Sequence, residues 1–365
     1  MLHGRYGKVI KPSYRKNFWK NKKVFLTGHT GFKGSWLSLI LNILGAKVVG
    51  YSLKPKNRKN LFTLASLDKI FYKSIYGDIR DYKKLKKSIS SFAPEIIIHM
   101  AAQPLVRQSY FEPQYTYEVN TLGTLNVLNI SNQIKSIKAG LIVTTDKVYE
   151  NNNLKTYYKE DDKLGGIDPY SSSKACAELI CSTYINSFLT REKKYFATAR
   201  AGNVIGGGDF SHDRIVPDYF KSLKKGIIFL RYPNSIRPWQ YVMDPLMGYL
   251  SLLENLFKNK KKYIGAWNFG PKKNTEKKVI EVIQSLNKNF NNCVKIRINQ
   301  KSLKNYYESK NLHLDSAKAK KFLKWEPKYN AKKSIELTAE WHKGFVKGCD
   351  IFFLTRKQIL EYLNL

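Results

Sequence analysis

The sequence predicts an α/β fold: a doubly wound parallel sheet followed by a smaller C-terminal α/β lobe. Three observations carry this expectation. The turn Thr27-Gly28-His29-Thr30-Gly31-Phe32-Lys33-Gly34 separates the apolar run Val24-Phe25-Leu26 from the helical stretch Trp36 to Leu44. Short, continuously apolar strands then alternate with helical spacings for about two hundred residues, as buried parallel strands do. Beyond Gly206-Gly207-Gly208 the alternation fades into shorter elements, more prolines and lysine-rich helices such as Glu276 to Leu286.

Each element follows in order. Val24 to Leu26 is the first strand, and the glycines at spacings of three open the first helix. Such glycines let backbone N–H groups close on a pyrophosphate while the helix start supplies partial positive charge. Lys47 to Leu53 is a second strand, Lys54 to Asn60 a basic loop, and Phe71 to Tyr76 a third strand ending in Gly77-Asp78-Ile79. Asp81 to Phe92 has helical spacing, with lysines 83, 84, 86 and 87 facing away from Leu85 and Ile89. Glu95 to Met100 is a fourth strand, Tyr115 to Gln133 a long helix and Ala139 to Thr144 a fifth strand. Asp168-Pro169 is a strong helix start, with Asp at the cap and Pro at the first helical position. That helix runs to about Leu189, and Tyr195 to Arg200 is a sixth strand.

Composition narrows the class. Hydrophobic content of 43% with 24 Tyr and 19 Phe fits a folded chain of 365 residues, not a disordered one. No apolar run approaches the ~20 residues that span a bilayer. Met1 to Tyr6 lacks the apolar core of a secretory signal, so a cytoplasmic protein with a short basic extension is expected. Cys176, Cys181, Cys293 and Cys349 show no metal-binding spacing and read as reduced structural thiols, with no metal expected. The net charge is +36, from 64 Lys and Arg against 28 acids, and 14 basic residues precede the first carboxylate, Asp68. Such a balance attracts polyanions. The basic residues are nevertheless scattered and no nucleic-acid motif accompanies them, so no specific nucleic-acid partner is expected.

Two further stretches carry chemistry. Tyr170-Ser171-Ser172-Ser173-Lys174 places a phenol and an ammonium on one helix face, where the cation can favour phenolate and let Tyr170 act as a base. Thr144-Thr145-Asp146-Lys147-Val148-Tyr149 follows the fifth strand, at the sheet edge where ligands of open α/β sheets bind. Hydroxyl, acid and amine there can polarise a carbonyl and move protons; equally, Asp146 and Lys147 can simply cap and bridge a loop.

The segments TGHTGFKG, HMAAQPLVRQSY, TTDKVY, DPYSSSKACAEL, RAGNVIGGGD, DRIVPD and RPWQYV occur in this order from Thr27 to Val242. Together they resemble the extended short-chain dehydrogenase/reductase superfamily, and within it the CDP-glucose 4,6-dehydratase branch, from about Phe18 to about His342. The resemblance implies a Rossmann dinucleotide domain over residues 21–202 after a basic extension at 1–20. It implies a nucleotide-sugar lobe over 203–345, with some segments returning to the first domain, and a helical tail at 346–365. It also implies a redox-neutral dehydration of CDP-glucose to CDP-4-keto-6-deoxyglucose for deoxysugars of surface polysaccharide such as lipopolysaccharide O-antigen.

Carried over by position, Tyr170 takes the proton of the sugar 4-hydroxyl, Thr145 bonds the 4-oxygen and Asp146 protonates the departing 6-hydroxyl. Lys174 holds the nicotinamide ribose and biases Tyr170. Lys147 stands where dTDP-glucose dehydratases carry a glutamate base; as a neutral amine it would assist removal of the C5 proton or stabilise the enolate. The cofactor residues are Gly28, Gly31, Phe32, Lys33, Gly34, Asp78, Ile79, Ala101, Ala102, Asn120, Tyr170 and Lys174. The substrate residues are Gln103, Arg107, Asn203, Arg214 and Arg237.

NAD is the expected cofactor. However, the second strand ends without the acid that usually takes the ribose hydroxyls, and Lys54, Lys56 and Arg58 follow, so NADP stays open. A homodimer or homotetramer is expected, paired through the helices from Tyr115 and Asp168. The competing readings are another dehydratase, a 4-epimerase, an idle dinucleotide-binding scaffold and a polyanion-binding protein.

Overall fold

The computed structural model describes residues 17–151, 157–258, 261–298 and 311–365. The first sixteen residues of the expected basic extension lie outside these. The main sheet is built from β1 (Lys23–Thr27), β2 (Lys47–Ser52), β3 (Lys73–Tyr76), β4 (Ile96–His99), β5 (Ala139–Val143), β6 (Tyr195–Ala201) and β7 (Gly265–Phe269). All seven run parallel in the order β7-β6-β5-β4-β1-β2-β3. The helices that matter here are α1 (Phe32–Ile43), α2 (Tyr82–Phe92), α3 (Gly123–Gln133), α4 (Pro169–Tyr184), α5 (Met243–Phe257), α6 (Val279–Asn289), α7 (Ala331–Val346) and α8 (Ile351–Leu363).

The strands are apolar on both faces because helices cover both. Val24 and Leu26 join Ile96 and Ile98 in a core with Trp36, Leu37 and Ile40 of α1 and Leu246, Leu250 and Leu253 of α5. Phe25 and Ile97 enter the opposite core, with Leu85 and Ile89 of α2, Val127 and Leu128 of α3 and Cys181 of α4. Lysines 83, 84, 86 and 87 are exposed on the outer face of α2, as the pattern predicts.

Helix starts follow local chemistry. The Asp168 carboxylate accepts from the Ser171 amide at 2.9 Å, with Pro169 in the first turn, and Asp81 accepts from the Lys84 amide at 3.0 Å. The helix expected from Tyr115 begins at Pro113 and passes through a π turn, Glu118–Leu122, before α3. Asn120 sits in that turn. Inserted turns of this kind re-aim side chains and concentrate at functional positions.

The smaller lobe has its own core, in which Tyr219, Trp239, Val282, Leu286 and Ile335 meet beside a parallel pair, Ile227–Leu230 and Lys295–Ile298. The C-terminal helix α8 is docked: Trp341 donates to Thr355 at 2.9 Å, and Tyr241 donates to Gln358 at 2.9 Å.

The chain leaves β3 at one edge and re-enters at β4, beside β1, so the carboxyl ends of β1 and β4 diverge. This is the switch point where ligands bind. Thr27 pins it. Its hydroxyl lies 2.7 Å from His99 Nδ1 and accepts from the Met100 and Ala101 amides, both at 3.1 Å. Burial, with Lys174 adding to it, pushes His99 down to about 3, so the imidazole is neutral.

One buried carboxylate ties α8 to the main core. Asp244 of α5 accepts from the Tyr362 hydroxyl at 2.6 Å and the Lys328 amide at 2.7 Å. Burial raises its pKa from 3.8 to about 6 despite these bonds. The folded state therefore binds this proton more tightly than the unfolded chain, and stability falls as pH rises from 4 through 6. A shift of this size is worth about 3 kcal/mol. Denaturant unfolding of wild type and Asp244→Asn should show the difference between them moving toward the wild type by about that amount on going from pH 7 to pH 4. A pH-independent difference would contradict it.

Candidate active site

The glycine turn is shaped by three close approaches. Gly28 has φ +76°, and a Cβ there would stand 2.6 Å from the Ala101 amide nitrogen. A Cβ on Gly34 would meet the Gly28 carbonyl oxygen at 2.1 Å, so only glycine lets α1 start this close to the turn. Gly31 is looser, 3.3 Å from that oxygen, and its amide bonds back to it at 3.1 Å. His29 is fully buried, bonded through Nε2 to Ser74 Oγ at 2.8 Å and packed against Phe62 and Phe71. Its ring fills the space a Cβ on Gly50 would need, which explains the glycine inside β2.

The turn opens onto a cleft of about 590 Å³ that runs between the sheet edge and the smaller lobe. Gly28, Gly31, Phe32, Lys33, Gly34, Asp78, Ile79, Ala101 and Ala102 line one arm of it. Thr145, Asp146, Lys147, Tyr170 and Lys174 line its middle, and Arg107, Asn203, Arg214 and Arg237 its far side. Close backbone at a helix start, with walls that exclude any Cβ, fits the pyrophosphate of a dinucleotide. Ser52 and Leu53 line the cleft at the end of β2, whereas exposed Lys54, Lys56 and Arg58 do not. Thr30 Oγ1 reaches Ser52 Oγ at 2.8 Å, closing that corner with hydroxyls instead of an acid.

Two expected contacts lie beneath the cleft and do not line it. The Asn120 amide donates to the Gln103 carbonyl at 3.0 Å and accepts from the Gln103 amide at 2.9 Å. It also donates to Ser173 at 3.0 Å. The Gln103 side chain turns inward to Thr116 and Leu105. Both residues therefore clamp the loop carrying Ala101 and Ala102 onto the π turn and α4.

At the reacting end, burial sets the electrostatics. Thr145 is buried and donates to Asp146 Oδ1 at 3.0 Å, and its hydroxyl favours ionisation of Tyr170. Asp146 is buried too, and its Oδ2 has no hydrogen-bond partner among the described residues. Loss of water raises its carboxyl above the usual range, against the pull of Lys147, Thr145 and Arg237. Burial thus favours the protonated form, the one a general acid needs.

The Tyr–Lys pair departs from the sequence expectation. Lys174 does not hold the phenol at low pKa: its Nζ donates to the Val143 carbonyl at 3.2 Å, and burial lowers it to about 8. Burial likewise raises Tyr170 to about 12, with Thr145 and Arg214 pulling the other way. Desolvation outweighs a cation that is itself turned into the strand end. Lys33 is the residue whose reach the motif understates. It too is brought down to about 8, by burial and then by Arg214 and Lys174, so its amine senses the reacting end as well as the turn.

The far side holds residues that spacing did not single out. Asp213 pairs with Arg107 at 2.7 Å and with Arg231 at 3.8 Å, while Asp209 stands 3.8 Å from Arg214. Seven basic side chains line the cleft against four acidic ones, a balance suited to a pair of diphosphates. Arg231 sits alone after an apolar strand, and only the fold brings it to Asp213.

The chain has counterparts among known proteins. A family model described as GDP-mannose 4,6 dehydratase matches residues 25–338. CDP-glucose 4,6-dehydratase of Salmonella typhimurium is 40% identical over 355 residues, 96% of this chain and 98% of that protein. Human dTDP-D-glucose 4,6-dehydratase is 26% identical over 336 residues, 88% of this chain and 90% of that one. Among solved structures, dTDP-glucose 4,6-dehydratase of Bacillus anthracis in complex with NAD superposes with a TM-score of 0.74 at 21% identity. That match covers 90% of this chain and 98% of the other, and supports the fold. With the model spanning most of the chain and a full-length relative at this identity, the protein belongs to the NAD-dependent nucleotide-sugar 4,6-dehydratase family of extended short-chain dehydrogenase/reductases.

Proposed function

We propose that the protein dehydrates CDP-glucose to CDP-4-keto-6-deoxyglucose, with the hydride taken and returned within one catalytic cycle. The observation that carries this is the meeting of Tyr170, Asp146 and Lys147 in the middle of one cleft, between the glycine turn and the arginines. Bound along the glycine turn, NAD supplies the hydride acceptor for C4 and the donor for C6. Tyr170 takes the proton of the 4-hydroxyl, and Thr145 and Arg214 ease ionisation of its buried phenol. The resulting 4-keto group acidifies C5. Lys147, next to Asp146 in the chain, assists removal of the C5 proton or stabilises the enolate. Asp146 gives its proton to the 6-hydroxyl, which leaves as water. A 4-epimerase needs neither of these last two groups, and a buried acid held above its normal pKa is the feature that favours elimination.

The CDP preference rests on the 40%-identical relative and on lysine at position 147. Arg214 and Arg237 supply the diphosphate contacts with Asn203 beside them, and Arg107 lies toward the sugar. NAD is favoured over NADP because the basic loop after β2 stays outside the cleft. The product enters deoxysugar synthesis for surface polysaccharide. A second copy pairs through the helices 113–133 and 169–189, whose Leu122 and Leu179 are 51% and 58% exposed. No helix among the described residues is long and apolar enough to cross a membrane, which suits a cytoplasmic enzyme.

Four outcomes test this reading. Purified protein given NAD and CDP-glucose forms a 4-keto-6-deoxy product, whereas dTDP-, UDP- and GDP-sugars react far more slowly; preference for dTDP-glucose overturns the branch. In Asp146→Asn, oxidation at C4 persists and reduced cofactor accumulates, while product formation drops about 10²- to 10⁴-fold. Lys147→Ala loses exchange of the C5 proton with solvent; full exchange there removes Lys147 from the chemistry. Sedimentation shows a dimer or tetramer that Leu122→Lys with Leu179→Lys dissociates; an unchanged assembly would place the interface elsewhere.

A further inference from the structure

Glu178 touches neither the cleft nor the expected ligands, yet it lies on the helix that carries Tyr170 and Lys174. At spacings of four it shares their face. Its carboxylate is saturated. Oε1 accepts from the Thr144 hydroxyl and, at 3.0 Å, from Arg200 Nε; Oε2 accepts from Thr198 Oγ1 at 2.7 Å and Arg200 Nη2 at 2.9 Å. Both side chains of the pair are only 3% exposed. The remaining Arg200 nitrogen donates to the Tyr149 hydroxyl at 2.8 Å and the Glu160 carbonyl at 2.9 Å, with the guanidinium 4.9 Å over the Tyr149 ring.

Thr144 and Tyr149 are the two ends of the segment that carries Thr145, Asp146 and Lys147. One buried ion pair thus grips both ends of that segment and joins them to α4. We propose that Glu178 is a positioning residue: paired with Arg200, it sets the Thr145-Asp146-Lys147 segment in register with Tyr170 and Lys174. This rests on the dehydratase reading above.

Stability alone does not call for the arrangement, since apolar side chains of similar volume often replace a buried ion pair without loss. Position does. A displacement of about 1 Å at a reacting group can cost on the order of 100-fold in rate. The carboxylate also acts on Lys174 through space, raising its pKa against burial together with Cys181 on the same helix. Around that amine stand the Val143 carbonyl of β5, neutral His99 of β4 and Lys33 of α1.

The test compares Glu178→Gln, Glu178→Asp and the double variant Glu178→Leu/Arg200→Met with wild type on CDP-glucose and NAD, following kcat, KM, the pH profile and thermal unfolding. In Glu178→Gln, kcat falls on the order of 100-fold with KM little changed. Lys174 loses the carboxylate that raised it, so its cation is lost earlier as pH rises and the basic limb of the profile moves to lower pH. Glu178→Asp keeps the limb in place and recovers part of kcat. The double variant, freed of both buried charges, unfolds near the wild-type temperature yet stays slow. Full kcat in that folded double variant overturns the proposal, as does a loss in Glu178→Gln that only tracks thermal stability with the limb unmoved. An inactive wild type would instead sink the dehydratase reading.

Discussion

Exclusion of water from a crowded set of titratable groups is the constraint on which this site depends. Asp146 is held above its ordinary range, Lys33 and Lys174 are brought down to about 8, and Tyr170 is raised to about 12. Each shift has burial as its leading cause, and each moves the group toward its neutral form. Burial thus biases a carboxyl, two amines and a phenol toward their neutral forms at the place where protons must move. Exposed to water, the carboxyl and the amines would sit as ions at neutral pH.

Holding such groups out of water requires rigid surroundings. The sheet supplies them at its switch point, where Thr27 ties the ends of β1 and β4, and Asn120 locks the following loop onto α4. Gly34 permits α1 to press on the Gly28 carbonyl, and His29 plugs the space left by Gly50. The smaller lobe then closes the cleft with arginines, and its Asp213 braces both its own Arg231 and Arg107 of the dinucleotide domain. The same packing that buries the reacting groups also aims them.

Much of this was legible in the residues. Continuous apolar strands such as Ile96–Ile98 predict a sheet covered on both faces, and Ile97 faces one core while its neighbours face the other. The Asp168-Pro169 signal predicts the start of α4, and the turn at Gly28 predicts the cleft. What the residues did not disclose depends on contacts distant in the chain. Lys174 turning to Val143, Gln103 and Asn120 folding onto each other, and Arg231 reaching Asp213 all follow from packing, which no local spacing encodes. Helix spacing reveals the Lys174 cation near Tyr170 but not the loss of solvent that raises the phenol.

The central claim is that one hydride leaves C4 and comes back to C6 of the same sugar while the site trades protons with solvent at C5. CDP-glucose deuterated at C4, turned over in ordinary water and examined by mass spectrometry and NMR, tests it most directly. The account predicts a product with deuterium at C6, and unlabelled CDP-glucose turned over in D2O gives a product with deuterium at C5. Deuterium lost to solvent, left at C4 or found on released cofactor would contradict it.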